Sequence, residues 1–432
     1  MSWIALKMLT GDKAKFFGIV MGLTFASLLI YQQGSIFWGL MLRTAGQVTD
    51  ITGADLWVMD ANVRYIDDVK PMIENNLYRV RGVEGVRWAV PLYKGNARAK
   101  MNSKQVAGPD RGKTLKVIEQ VILLGLDDSS MVGAPSPDKM LVGSLSALRK
   151  PDAVVVDFTR LPKLYPGEDW SLQATNKKKP DELKPEQRAR FESSYGRIPL
   201  DQDGRVAFYE LFLGREIEMN DHRAIIVGVC EATRTFQSNA VVYTTYTRAK
   251  NFVPRERKIL SYILAKTEPG ASSSSVARSI KNQTGLKALT SSEFKDETIN
   301  YYLKYTGIPI NFGITAMLGF IVGTAIAGQT FYNFTLENLR QFGALKAMGA
   351  TNIRIVGMIL LQAAVVGLLG YGIGVGLGAL FGATTKGGEL AFHTHPITLP
   401  IVGVAIVAIC ILSSGLCIRR VMVLEPAIVF RG

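Results

Sequence analysis

Hydrophobic positions run in two registers along this chain. In four stretches, residues 16–42, 308–333, 355–382 and 397–418, they continue without a single Asp, Glu, Lys, Arg or His. A helix needs roughly 20 apolar residues to cross the hydrocarbon core of a bilayer, so these stretches predict four spanning helices. Over residues 43–305 the pattern changes to short β-branched runs and apolar–polar alternation, broken by glycine. VEGVRWAVPLY (83–93), DAVVVDF (152–158), HRAIIVGV (222–229) and NAVVYTTY (239–246) predict strands. SSSVARSIKNQTG (273–285) predicts a helix stopped by Gly285. The fold class that follows is an α-helical membrane protein with four transmembrane helices. A large mixed α+β extracytoplasmic domain is inserted between the first and second.

The flanks add detail. Trp3, Ile4, Leu6, Met8 and Leu9 form an apolar face among lysines and end at Gly11, the pattern of a helix lying on the inner membrane surface. Residues 16–42 exceed a signal-peptide core of about 7–15 residues, and LRTAGQ after them is a poor cleavage site, so this is a retained anchor. Thr290 and Glu293 form a capping box, and the apolar residues after it continue toward the second span. One unbroken helix is therefore expected from the outer domain into the membrane. Residues 161–206, rich in Lys, Glu, Pro, Asp and Gln, are expected to bury little and to form a mobile insertion. The expected division is 1–42, an amphipathic helix and first span; 43–305, the extracytoplasmic domain; and 306–432, three spans with a cytoplasmic segment at 334–354.

Charge sets the orientation. Lys7, Lys13 and Lys15 precede the first span, Arg340, Lys346 and Arg354 lie between the second and third, and Arg419, Arg420 and Arg431 follow the fourth. The loop 383–396 has only Lys386, offset by Glu389. Positive residues mark cytoplasmic loops, so both termini and 334–354 are expected to be cytoplasmic and the 43–305 domain outside. The formal charge of +14 and pI near 9.6 are explained by these flanks and by Lys/Arg-rich outer loops such as 175–190, where acids are interspersed. Nucleic acid is not an expected partner; anionic lipid headgroups come second to plain solvation.

Candidate chemistry is sparse. AGPDRGKT (107–114) fits a loose phosphate-binding loop, but β-branched LKVIEQVILLGL follows it where a helix is needed. The residues 115–126 read as a strand pair, the loop reads as a surface turn, and it lies outside, where ATP is not expected. His393 and His395 near Glu389 lack the further ligands of a metal centre, and 3 His assemble no catalytic triad. Of 3 Cys, Cys410 and Cys417 share a face of the last span and Cys230 is alone outside, so the outer domain has no disulfide. Gly370, Gly374, Gly378 and Gly382 recur every four residues on the third span, and Gly319 and Gly323 with Ala327 do so on the second. Such faces let helices approach closely, within one chain or across a dimer seam.

Between the second and third spans stands NLRQFGALKAMGATNIRIVGMILLQ (338–362). Leu339, Phe342, Leu345 and Met348 lie close to one face of a short helix that Gly349 caps. The core Phe342-Gly343-Ala344-Leu345-Lys346-Ala347-Met348-Gly349-Ala350 resembles the cytoplasmic coupling segment of the permease family that includes FtsX, MacB and the lipoprotein-releasing permeases. The tail MVLEPAIVFRG and the order of spans are also similar. GADLWVMD and SSEFKDETINYYLKYTG look most like the DevC branch, associated with glycolipid export. The chain departs from the family at Gln341 and Gln362, where acidic residues are usual.

The resemblance implies a type VII ABC transporter permease that is not itself an enzyme and holds no cofactor. ATP and Mg²⁺ would be bound by a separate cytoplasmic ABC ATPase docking on Leu339, Arg340, Phe342, Gly343, Leu345, Lys346, Met348, Gly349 and Ala350. A second permease copy, identical or not, would complete the membrane part, surrounded by lipids. A periplasmic adaptor and an outer-membrane channel are further partners it implies. ATP hydrolysis would shift the outer domains and export or release a lipid-like substrate by mechanotransmission, without a polar route through the spans. Two alternatives stay open: an FtsX-like regulator of an outer cell-wall hydrolase, and a membrane-anchored sensor without an ATPase.

Overall fold

The computed structural model describes residues 2–106, 110–254, 258–385 and 390–423. Arg431, Lys386, Glu389 and most of the MVLEPAIVFRG tail lie outside the described residues, as do residues 107–109 of the AGPDRGKT loop. The chain divides into two compact units, Met1–Met41 with Tyr305–Gly432, and Leu42–Lys304.

At the N-terminus, α1 (Ser2–Gly11) and α2 (Lys13–Thr44) meet at Asp12, whose carboxylate accepts the Lys15 backbone N–H at 3.2 Å. The second unit holds the helices α3 (Gly46–Asp50), α4 (Asn75–Arg81), α5 (Leu161–Leu164), α6 (Pro185–Tyr195), α7 (Tyr246–Asn251), α8 (Ser273–Thr284) and α9 (Ser291–Tyr305). Its strands are β1 (Leu56–Met59), β2 (Val86–Lys104), β3 (Thr114–Leu126), β4 (Met140–Gly143), β5 (Ala153–Asp157), β6 (Glu216–Met219), β7 (His222–Cys230), β8 (Ala240–Thr245), β9 (Tyr262–Thr267) and β10 (Lys287–Thr290). They form a mixed sheet in the order β10-β1-β9-β2-β3-β8-β5-β7-β4, with β6 against β2 and β7. The long β2 pairs with β9 through Val86–Leu92 and with β3 through Tyr93–Lys104.

Both faces of this sheet are covered, which is why AVVV and AVVYTT lack alternation. Val154, Val156, Val242 and Ile263 face one buried cluster, while Val155, Val241, Tyr243 and Leu264 face the other. Two expectations change in this unit. Residues 115–126 do not divide into a strand pair but extend as the single β3, with Gly125 one residue from its end. A Cβ there would stand 2.6 Å from that of Ala249, so glycine allows α7 to lie on the strand. Residues 161–206 are not a segment that buries little. Leu161, Leu164, Tyr165, Leu172, Phe191 and Val206 join the first cluster, and Trp170 stacks on Phe212 at 5.4 Å. Apolar anchors spaced singly among Lys, Glu and Pro converge in space although they show no period in sequence.

In the first unit, α10 (Ile308–Glu337), α11 (Leu339–Ala347), α12 (Asn352–Thr384) and α13 (Thr398–Met422) follow. With α2, the helices α10, α12 and α13 are long and apolar enough to cross a membrane. The capping box forms: the Thr290 N–H donates to Glu293 at 2.8 Å and the Glu293 N–H to Thr290 Oγ1 at 3.2 Å. The helix it opens does not run unbroken into the span. α9 ends at Tyr305 and α10 begins at Ile308, with Gly307 as its N-cap. Pro309 has no N–H, and its ring opposes the carbonyl four residues back, so a proline is tolerated there only in a first turn.

Candidate functional site

The helix α11 is joined to its neighbours by two different turns. Asn338 ends α10 and starts α11, its backbone carbonyl accepting the N–H of Phe342 at 3.0 Å. At the far end Gly349 takes φ +90°, its N–H donates to the Lys346 carbonyl at 3.0 Å, and the Ala350 N–H donates to the Leu345 carbonyl at 2.9 Å. This Schellman closure needs a left-handed residue, which glycine supplies.

The apolar stripe does not present one common surface. Phe342 is fully buried in a cluster with Leu9, Ile355 and Ile359, and Gly343 is buried beside it. Leu345 is buried with Ala5 of α1 and Met358 of α12, and Leu339 is half-buried. Leu345 therefore holds the helix in place rather than facing outward. Lys346 donates from Nζ to the carbonyls of Val421 at 2.8 Å and Met422 at 3.1 Å, completing the C-terminal turn of α13. Outward face Arg340, Gln341, Ala344, Ala347, Met348 and Gly349, with Ala350 half-buried. Met348 is 75% exposed, and so is Ile353 at 83%, a residue outside the expected set. The signal for it was local: an aliphatic side chain between Asn352 and Arg354, beyond the charge-free stretch of the span.

Gln362 is buried, and its Nε2 donates to the Ala5 carbonyl at 2.7 Å. An ionised carboxylate only accepts hydrogen bonds, so the amide suits this contact where an acid would not. Among the described residues, no three His, Cys, Asp or Glu side chains stand together as a metal would require. His395 stacks on Trp38 with centroids 4.6 Å apart, and its Nδ1 accepts the Ile397 N–H at 3.3 Å.

Residues 310–426 match the model of the FtsX-like permease C-terminal family. The chain carries an FtsX-like permease domain. An uncharacterized ABC transporter permease of Mycobacterium bovis is 33% identical over 123 residues, 28% of this chain and 33% of the relative. Another, from Mycobacterium tuberculosis, is 33% identical over 126 residues, covering 28% and 33%. The matched region spans about a third of the length of these curated relatives. Two solved structures are also similar. The extracellular domain of the noncanonic ABC-type transporter YknZ from Gram-positive bacteria covers 55% of this chain and 98% of its own at 13% identity, with a TM-score of 0.30. The periplasmic region of MacB from Actinobacillus actinomycetemcomitans covers 60% and 96% at 12% identity, with a TM-score of 0.34.

Four helices long and apolar enough to cross a membrane, together with the match over residues 310–426, support a membrane protein whose C-terminal part is similar to FtsX-like permeases. The glycine faces of the FtsX-like domain are used within the chain. A Cβ on Gly370 would lie 2.5 Å from that of Leu23, and one on Gly374 would lie 2.6 Å from Ser27 Cβ. Gly378 meets Tyr31 in the same way, and Gly382 meets Phe392. Gly319 and Gly323 meet Leu29 and Ala26, so α10 and α12 both close onto α2. These stripes are covered seams rather than free surfaces.

Proposed function

We propose that the chain is the permease subunit of an ABC transporter whose ATPase is a separate cytoplasmic subunit, and that it is not itself an enzyme. The observation that carries this reading is the division of labour on α11. Phe342 and Leu345 clamp the helix to α1 and α12, while Met348 and Ile353 stand exposed beyond the charge-free spans, among Arg340, Arg354 and Glu337. Large apolar side chains exposed in a charged setting suit a protein partner better than lipid. A push on such a clamped helix is passed to the spans it packs against. Both termini and α11 face the cytoplasm of a bacterial inner membrane in this reading, with the Leu42–Lys304 unit outside. A second copy, an adaptor and an outer-membrane channel complete the machine, which exports or releases a lipid-like substrate as in the DevC-like branch. α2, unbroken from Lys13 to Thr44, carries the displacement in place of the interrupted α9–α10 path.

The test is co-purification of the chain with candidate ABC ATPases from the same genome. Met348→Asp and Ile353→Asp are expected to weaken ATPase retention at least about tenfold each, roughly 1.4 kcal/mol, with unchanged melting. Leu345→Asp is expected to lower the melting temperature instead. Retention unaffected by both surface variants, or no ATPase bound by wild type, would sink the proposal.

A further inference from the structure

The distal half of the β2–β3 hairpin extends past the covered sheet and walls a groove of about 940 Å³ within the Leu42–Lys304 unit. Register puts Lys100 opposite Ile118, Asn102 opposite Lys116 and Lys104 opposite Thr114. Directly opposed residues share a face, so Lys100, Lys104 and Lys116 lie on the same face as Ile118, which is 60% exposed. On the reverse face, Met101 and Ser103 are buried. The far wall comes from the segment around Gly167. That residue docks on the hairpin end: its N–H donates to Ser103 Oγ at 3.0 Å, and its carbonyl accepts the Val106 N–H at 2.9 Å. A Cβ on Gly167 would stand 2.8 Å from the Lys104 carbonyl oxygen, so glycine is what allows the wall to close.

The charges lining the groove do not pair off completely. Glu168 holds Arg215 at 2.5 Å, Glu216 accepts from Arg223 Nε at 2.9 Å, and Lys100 bridges Glu218 at 2.8 Å and Asp221 at 2.6 Å. Among the described residues, Lys104 and Lys116 line the groove with no carboxylate of their own. Tyr165, on the other wall, is 1% exposed, and its hydroxyl has no hydrogen-bond partner among the described residues. Leaving a buried hydroxyl without a partner is unfavourable, so a ligand oxygen accepting from it is favoured.

We infer that this groove binds an anionic amphiphile, its phosphate- or carboxylate-like head between Lys104, Lys116 and the Tyr165 hydroxyl and its alkyl part against Ile118. That this ligand is cargo rests on the export reading; that it binds does not.

Octyl phosphate, below its micellar concentration, is the probe, with the full chain in phosphatidylcholine nanodiscs. Amine-reactive labelling read by mass spectrometry is expected to slow about fivefold or more at Lys104 and Lys116, and not at the exposed Lys178 and Lys179. Ile118→Ser, at an exposed position that does not threaten folding, is expected to remove most of that protection, and Tyr165→Phe part of it. Three results overturn the inference: no protection by octyl phosphate, equal protection by inorganic phosphate, or equal protection by octyl glucoside. ATPase co-purification is unmoved by any of these, so failure here and failure of the permease reading are distinguishable.

Discussion

At Asp157, burial and hydrogen bonding pull in opposite directions. Burial pushes its carboxyl up from 3.8 to about 6, although Thr159 and the Ala232 N–H both donate to it. The folded state thus holds this proton more tightly than the unfolded chain. The associated stability is fully present below 3.8 and is lost as the pH rises through about 6. The ionised carboxylate then costs roughly 3 kcal/mol at neutral pH. Asp157→Asn is therefore expected to gain melting temperature relative to wild type as the pH rises from about 4 to about 7. A gap that stays flat across that range would count against it. Nothing in DAVVVDF shows this sequentially. Strand and burial were legible from the β-branched run, but the Ala232 N–H comes from a segment 75 residues away. The same holds for Gln362, whose partner Ala5 lies 357 residues earlier.

Among the elements, α12 separates the legible from the hidden. Its glycine period was visible, and close approach was the right physics, but sequence left open whether the surface was a seam within the chain or between chains. The Cβ distances decide for α2. Gly374→Ala places a methyl 2.7 Å from the Thr24 carbonyl oxygen, whereas Gly372 and Gly376 have nothing within 4 Å. Overpacking of this kind costs about 1–3 kcal/mol, so Gly374→Ala is expected to melt several degrees lower while Gly372→Ala and Gly376→Ala stay near wild type. Equal melting of all three variants in detergent would show that the seam is loose. For α11 the period was also right and the inference from it was not. A stripe at helical spacing marks a face that is buried somewhere, and here Phe342 and Leu345 spend it on the chain's own helices. What remains for a partner, Met348 and Ile353, straddles the Gly349 cap and belongs to no single helical stripe.

For the whole molecule, the Leu42–Lys304 unit has its own sheet and two buried clusters covering both faces. Residues 45–305 expressed alone are expected to fold, with one cooperative thermal transition followed by circular dichroism; a non-cooperative melt would mean that the unit depends on the spans. The sequence by itself determined the four spans, the strands through DAVVVDF, HRAIIVGV and NAVVYTTY, the capping box and the short helix between the second and third spans. These depend on composition and period within about 20 residues, where local propensity and the length of an apolar run decide the outcome. Only the tertiary structure decided that residues 161–206 pack, that the glycine faces close on α2, and which residues of α11 and its flanks remain exposed. Each of those depends on what a side chain meets across hundreds of residues of chain, and periodicity says that a face is buried without saying against what.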